Sequence, residues 1–503
     1  MIQAYRVEDI RTAEEAALAS VPVGALMQRA AAGLATACIG LLRERHGRVT
    51  GCRVVVLAGA GNNGGDALWA GSRLADRGAD VCAVPTARTV HPEGLAALQA
   101  AGGRVLTPSG DLPAQAATAL VRADLVIDGL VGLGGSPGLR EPANSIVQGI
   151  PDDVPVVAVD LPSGVDPDSG LTPGAHVRAH LTVTFGAAKP CLLLPPADRA
   201  AGRVEIVDIG LTPYLPFVPQ VERLTELDAA AMWPLPGRDD DKYRRGVLGV
   251  VAGSPGYPGA AVLACSGALR AGVGMVRYVG PPEVTTAVLS AWPEVVSGPG
   301  RVQAWLLGPG VDPDAEPDRD PQPDAVTRAL DAGLPCVLDA GAITLWARAL
   351  SPVHDDRDQP DDSRRILLTP HAGELARLLT DLGAPTERAD VEARPYPHAH
   401  AAARRTGATV LLKGATTLVV RPDGRARSQH DGVPWLATAG AGDVLAGIAG
   451  TLLAAGLDPL DAGSLAALLH GRAAAAASRG GPIVSADVAA ALPGVVAELL
   501  GPD

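Results

Sequence analysis

The chain has 503 residues, 47% of them hydrophobic and 19% charged, with a formal net charge of −13. That length exceeds one ordinary core and predicts two or three domains, while the composition excludes a disordered chain. The acidic balance disfavours nonspecific nucleic-acid binding but leaves room for a local basic pocket holding a phosphate-bearing metabolite.

Cys38, Cys52, Cys82, Cys191, Cys265 and Cys336 are scattered, without a C-x-x-C pair. They are expected as small core residues in a reducing compartment. The opening MIQAYRVEDIRTAEEAALAS carries charges throughout, and the apolar stretch Val444–Leu457 is broken by glycine and too short to span a bilayer. A cytoplasmic protein with no membrane partner is expected.

In chain order, apolar β-rich runs alternate with Ala/Leu helical segments from Arg53 to Gly210. Arg53–Ala58, Ala79–Val84, Leu125–Ile127, Val156–Val159, Leu181–Phe185 and Val204–Val207 read as strands of a parallel α/β sheet. Thr212–Asp241 is Pro-rich and then acidic, the best linker candidate. A second alternating series follows, with strands at Val247–Ala252, Ala304–Leu307, Cys336–Leu338, Ile366–Leu368, Thr409–Leu412 and Thr417–Val420. Two hydrophilic insertions, Asp312–Asp324 and Val353–Arg365, read as mobile surface loops. The economical division is a domain over 1–215, a linker over 216–241 and a domain over 242–503.

Gly59, Gly61 and Gly64 fit G-x-G-x-x-G between the first strand and a helix, a place where backbone N–H groups and the helix dipole favour phosphate. The dinucleotide-cofactor pattern also wants an acid at the end of the next strand. Here that strand ends in Pro85 and Thr86, and its only acid, Asp80, sits at the start. The loop is polar as well, with Asn62, Asn63 and Asp66 around Gly64 and Gly65. Two later strands end in Asp128 and Asp160, followed by the glycine run Gly132–Gly138 and by Ser163. Any one Asp could be a helix cap. Three acid- and glycine-bearing loops on one sheet edge point to a ligand site.

GNNGGD, DGLVGLGGSPGLR, AVDLPSGVD and TFGAAKP, with PVGALMQRAA near the start, resemble the NAD(P)H-hydrate epimerase family over most of residues 1–215. The resemblance implies a Rossmann-like fold in which the loop holds a damaged dinucleotide as substrate. It implies potassium at Asn63, Asp128 and Ser163. It places the hydrate (NADHX or NADPHX) against Asn62, Asn63, Gly64, Gly65, Asp66, Gly132, Leu133, Gly134, Gly135, Ser136, Pro137, Gly138 and Asp160. Epimerisation at C6 calls for a positioned carboxylate, with Asp160 favoured and Asp66 second. Ala67 stands where the family commonly has glycine.

In the second series, Gly440, Gly442 and Asp443 open a long apolar helix. Glycine amides at a helix start suit a transferring phosphoryl group, and an Asp among them can take a proton from the attacking hydroxyl. Lys413 lies in a turn between two strands, and His371 and Glu374 stand at the mouth of a helix that Thr369 or its loop could cap. Pro397–His400 (PHAH) has no ligand partners at metal spacing and reads as a surface segment.

GAGD resembles ribokinase-like enzymes in general. GSPGYPGA, GPG, TPHAGE, KGATT and GAGDVLAGI together resemble ADP-dependent (S)-NAD(P)H-hydrate dehydratase over about residues 228–500. That resemblance puts the hydrate on Ala260, Gly310, His371 and Asp443, and the nucleotide on Lys413, Gly414, Ala415, Thr416, Thr417 and Gly442. Asp443 would be the base, Mg2+ would screen the nucleotide, and ADP would be the co-substrate, giving AMP and phosphate. Ala441 replaces the usual threonine. The expectation is a bifunctional enzyme with two α/β domains and small-molecule partners only, as a homo-oligomer. A ribokinase-type vitamin or sugar kinase, and an N-terminal half acting as a binding module, are the rivals.

Overall fold

The computed structural model describes residues 1–106, 112–316, 318–350 and 365–501. The chain divides into two compact units, residues 3–221 and residues 222–503 with Met1 and Ile2. Strands β1 (Ile2–Ala4) and β9 (Val221–Arg223) straddle the division.

The first unit holds seven strands: β2 (Arg53–Ala58), β3 (Asp80–Pro85), β4 (Arg104–Val105), β5 (Leu125–Gly129), β6 (Val156–Val159), β7 (Leu181–Phe185) and β8 (Arg203–Val207). They lie in the order β4-β3-β2-β5-β6-β7-β8, and every pairing is parallel. The strands read as nearly continuous apolar runs because both faces are covered. Val54, Val56 and Ala58 face one core, shared with the helices Ala25–His46 and Asn62–Ala75, while Val55 and Leu57 face the other. Ala25–His46 is long and apolar enough to cross a membrane by length and composition. Here it is a core helix, with Leu26, Leu34, Cys38 and Leu42 buried.

The second unit carries β10 (Val247–Val251), β11 (Met275–Tyr278), β12 (Val296–Ser297), β13 (Ala304–Leu307), β14 (Cys336–Leu338), β15 (Ile366–Leu368), β16 (Thr409–Leu412), β17 (Thr417–Val420) and β18 (Ala426–Gln429). The order is β9-β18-β17-β16-β15-β14-β13-β10-β11-β12. Pairing is parallel from β12 to β16, then antiparallel through β17 and β18. The helices Pro258–Arg270 and Ala441–Ala454 meet backbone to backbone: a Cβ on Gly267 would strike the Val444 carbonyl, and one on Gly447 the Ala264 carbonyl. That close approach fixes where the second helix begins, and so fixes Asp443.

All six cysteines are buried free thiols. Two sequence expectations need correction. The proposed linker is structured, since it contains β9 and the helix Glu226–Met232, closed by a Thr225/Asp228 capping box. The insertion Asp312–Asp324 is not wholly a surface loop. It ends in the helix Gln322–Asp331, and Gln322 is buried, its Nε2 donating to the carbonyls of Ala252 (2.9 Å) and Gly253 (3.0 Å). Most of the other insertion, residues 353–364, lies outside the described residues. The PHAH segment is part of the helix Pro395–Thr406, where His400 stacks on Tyr396.

Candidate active sites

In both sheets the strand order reverses direction at one point, and ligands of open parallel sheets bind outside the strand C-termini there. In the first unit the reversal falls between β2 and β5. The glycine loop after β2, the Gly132 loop after β5 and the Asp160–Ser163 loop after β6 therefore converge.

The glycines of the first loop are needed for close packing as well as for any ligand. A Cβ on Gly59 would overlap the Leu130 carbonyl, and one on Gly64 the Gly59 carbonyl. Ala67 is accommodated because its methyl sits against Gly129, which has no Cβ of its own. Asp80 is ion-paired to Arg104 at the N-terminal end of its strand, the end opposite the glycine loop.

Asn63, Asp128 and Ser163 come together around the turn after β5. Asn63 Nδ2 donates to the Val159 carbonyl at 2.7 Å, and its amide oxygen faces Gly132. The buried Asp128 carboxylate accepts from Ser163 Oγ (2.6 Å), Ser163 N (2.9 Å) and Leu130 N (3.3 Å). Burial pushes its pKa up to about 6 against those hydrogen bonds. An amide, a hydroxyl and one carboxylate form an all-oxygen set of low charge, which fits a monovalent cation. Among the described residues no three His, Cys, Asp or Glu side chains gather as a metal site.

Asp160 ends β6 with a left-handed backbone, φ +69°, unusual for a residue other than glycine. Its Oδ1 accepts from Thr184 Oγ1 (3.0 Å), Phe185 N (3.2 Å) and Lys189 Nζ, the last a close ion pair. Lys189 is 1% exposed and also donates to Thr184 Oγ1 and the Phe185 carbonyl. Asp66, 6% exposed, has its Oδ1 buried without a hydrogen-bond partner among the described residues. Burial raises its pKa well above the carboxylate range, Asp160 and Glu14 add to this, and Lys189 opposes it.

In the second unit the reversal falls between β10 and β13. Gly253–Ala260 follows β10, Gly308–Gly310 follows β13, Asp339 follows β14, His371 follows β15 and Lys413 follows β16. A Cβ on Gly310 would meet the Ala260 methyl, so these two predicted hydrate contacts are neighbours. Lys413 Nζ donates to Asp339 Oδ1 at 2.8 Å and lies 3.7 Å from Glu374 Oε2. Gly442 sits close to the same ammonium. Thr369 Oγ1 donates to Asp339 Oδ1 at 2.9 Å. Burial lowers the Lys413 pKa, but Asp339, Glu374 and Asp443 outweigh it and leave it raised. Asp443 is pushed up to about 7 by burial and by the charge of Asp339, with Lys413 opposing.

His371 itself caps the helix Ala372–Asp381, rather than Thr369 or the loop: its Nδ1 accepts from Gly373 N (3.0 Å) and Glu374 N (3.1 Å). Its Nε2 lies 3.6 Å from Glu374 Oε1.

Two family profiles match: one described as YjeF-related protein N-terminus over residues 23–191, the other as NAD(P)H-hydrate dehydratase over residues 248–490. The bifunctional NAD(P)H-hydrate repair enzyme of Mycobacterium leprae is 46% identical over 94% of this chain and 93% of its own. The chain belongs to this repair-enzyme family. Relatives of the same description from Mycobacterium tuberculosis (45% identical, 90% of this chain and 89% of theirs) and Moorella thermoacetica (35%, 87% and 86%) agree. Among solved structures, the ADP/ATP-dependent NAD(P)H-hydrate dehydratase of Bacillus subtilis is 26% identical, with a TM-score of 0.46, over 55% of this chain and 97% of its own.

Three residues of these clusters escaped the reading of the sequence. Lys189 lay inside a recognised motif, TFGAAKP, but a lysine in an apolar run gives no sign of its partner. Glu14 sits on the helix Val7–Leu18, remote in sequence from both loops. Asp339 carried the better signal, because it ends an apolar strand as Asp128 and Asp160 do.

Proposed function

We propose that the chain is a bifunctional metabolite-repair enzyme. Its first unit interconverts the R and S hydrates of NADH and NADPH, and its second dehydrates the S form with ADP, giving AMP and phosphate. The observation that carries this reading is Asp443. It stands at the first turn of the helix Ala441–Ala454, beside Lys413, with a pKa raised to about 7 by its burial. A base poised near the working pH takes the proton of the C6 hydroxyl as that oxygen receives the terminal phosphoryl group. The free amides at the helix start and Lys413 stabilise the charge on the phosphoryl oxygens. Phosphate, a far better leaving group than hydroxide, then departs from C6 as the ring-nitrogen lone pair forms the nitrogen–C6 double bond, and loss of a proton from C5 to water restores the dihydronicotinamide.

Lys413 to Thr417 with Gly442 hold the nucleotide in this reading, and Ala260, Gly310 and His371 hold the hydrate. Bound to the nucleotide, Mg2+ supplies charge neutralisation, and Asp339 and Glu374 are the carboxylates nearest to that work. In the first unit Asn63, Asp128 and Ser163 hold potassium. Asn62 to Asp66, Gly132 to Gly138 and Asp160 hold the hydrate, and Asp160 is the favoured carboxylate. The loop thus grips a dinucleotide as the molecule under repair, which accounts for the missing ribose acid. The functional domains are proposed as 1–215 and 242–503, working in the cytoplasm as a homo-oligomer on small molecules alone.

The test uses a mixed R/S NADH-hydrate preparation with magnesium, potassium and ADP, followed by the near-ultraviolet absorbance of reduced nicotinamide. Recovery from both epimers is expected. Recovery that stops at the S fraction would leave the first unit without its proposed activity. A stable phosphorylated product instead of reduced nicotinamide would favour a ribokinase-type kinase. Replacing potassium with sodium should slow epimerisation and leave dehydration of pure S hydrate unchanged.

A further inference from the structure

We propose that the first unit works as a two-carboxyl device: Asp66 is the proton donor, Asp160 the proton acceptor through Oδ2, and Lys189 the positioning residue that keeps the two roles apart. The inference rests on the epimerase reading of this unit.

The asymmetry is geometric. Lys189 Nζ, Thr184 Oγ1 and Phe185 N all converge on one oxygen of Asp160. Three donors converge on Oδ1 and leave Oδ2 without a partner among the described residues, so Oδ2 is the oxygen open to a proton. Asp66 receives no such donor among the described residues, and its Oδ1 is buried with no hydrogen bond to accept there. A carboxyl in that setting is far less costly as the neutral acid.

The charges facing Asp66 are Glu14 from the helix Val7–Leu18, Asp160 from the end of β6 and Lys189 from the segment after β7. Arg11 acts on Glu14, and the His91 ring lies against Gly65 from the cap of the next helix. Burial raises the Glu14 carboxyl too, and it adds to the pressure against a second anion near Asp160.

The chemistry balances with water as the only co-reactant. Asp66 gives its proton to the C6 hydroxyl oxygen. The C6–O bond breaks, water leaves, and the ring-nitrogen lone pair forms the nitrogen–C6 double bond. Water then adds to C6 from the other face, the double-bond pair returns to nitrogen, and Asp160 Oδ2 takes the proton released by the adding water. The form left behind, with Asp66 ionised and Asp160 protonated, is the form that runs the opposite epimerisation.

The test measures epimerisation by the full chain in water enriched in oxygen-18, for wild type, Asp66→Asn, Lys189→Met and Lys189→Arg. Dehydration of pure S hydrate serves as the control for folding. In the wild type each inversion should place one solvent oxygen on C6. Asp66→Asn should lose epimerisation by about 100-fold or more while keeping S-hydrate dehydration. Lys189→Met should move the acidic limb of the epimerisation pH profile upward, and Lys189→Arg should bring it back toward the wild-type position. An infrared difference spectrum, wild type minus Asp66→Asn at neutral pH, should show a protonated-carboxyl C=O band even if a lysine variant does not fold.

Three results would overturn the proposal within an active epimerase: an Asp66→Asn enzyme within a few-fold of wild type, inversion without solvent oxygen, or no protonated-carboxyl band. A wild type that cannot epimerise would instead overturn the parent reading, and this proposal with it.

Discussion

The two units solve one electrostatic problem in different ways. Each collects aspartates at the strand-end edge of a parallel sheet and adds one lysine, fully buried in the first unit and partly buried in the second. In the first unit Lys189 is committed to Asp160, the carboxylate proposed to react, and is itself sealed from solvent. In the second, Lys413 is committed to Asp339 and leaves Asp443 without an ion pair of its own among the described residues. Asp443 is therefore the group whose pKa is carried up to about 7, whereas in the first unit the raised carboxyl is Asp66, the proposed proton donor, which the lysine does not reach with an ion pair. Where a lysine points decides which carboxyl carries an ion pair and which is left to its burial.

The largest expected effect that tests this contrast is Asp443→Asn. It should cut dehydration of S hydrate by about 100- to 10,000-fold, the usual range for losing a positioned base, and spare epimerisation. Loss of both activities would show that the sites are not independent.

The next is a pH dependence. A base must be ionised to act, so the dehydration rate at saturating nucleotide should fall about tenfold per pH unit below about 7. A rate flat down to pH 5 would mean that Asp443 is not the titrating base.

A third prediction concerns stability. The Asp66 pKa is raised on folding, so the native state holds a proton that the unfolded chain releases. Its contribution turns unfavourable as pH climbs above the ordinary carboxylate range toward the folded value. Asp66→Asn should therefore stabilise the first unit at neutral pH by about 1–2 kcal/mol, seen as a higher denaturation midpoint. A lower midpoint would mean that the carboxylate has a partner the structure does not supply.

The smallest expected effect separates two duties of His371. His371→Ala removes the helix cap at a cost of about 1 kcal/mol, whereas His371→Asn keeps an acceptor there and should restore most of it. If both variants weaken hydrate binding equally, the ring contacts substrate. If only the alanine variant does, the histidine acts through the cap.

The N-terminal loop shows how much was legible. GNNGGD lies between β2 and the helix Asn62–Ala75, as the alternation of apolar runs requires, and the three Asp-bearing loops share one edge. Local periodicity carries that information because a strand buried on both faces must be apolar throughout. The short strands β11 and β18 escaped: β18 (ARSQ) is polar in sequence and yet wholly buried, with Arg427 ion-paired to Glu222 and Asp461. The buried end of the Asp312–Asp324 insertion escaped for the same reason, since Gln322 is a core residue only because two backbone carbonyls accept from it.

By itself, then, the sequence determined two α/β units, the strand-end loops and the family. Apolar period, glycine punctuation and motif order are properties of neighbouring residues, and they can be read along the chain. Only the tertiary structure decided which charges meet. Asp160 and Lys189 are 29 residues apart, Asp339 and Lys413 are 74, and both pairings depend on strand order in the folded sheet. Protonation follows from burial and from those partners, so the division of labour among the carboxyls exists only once the chain has folded.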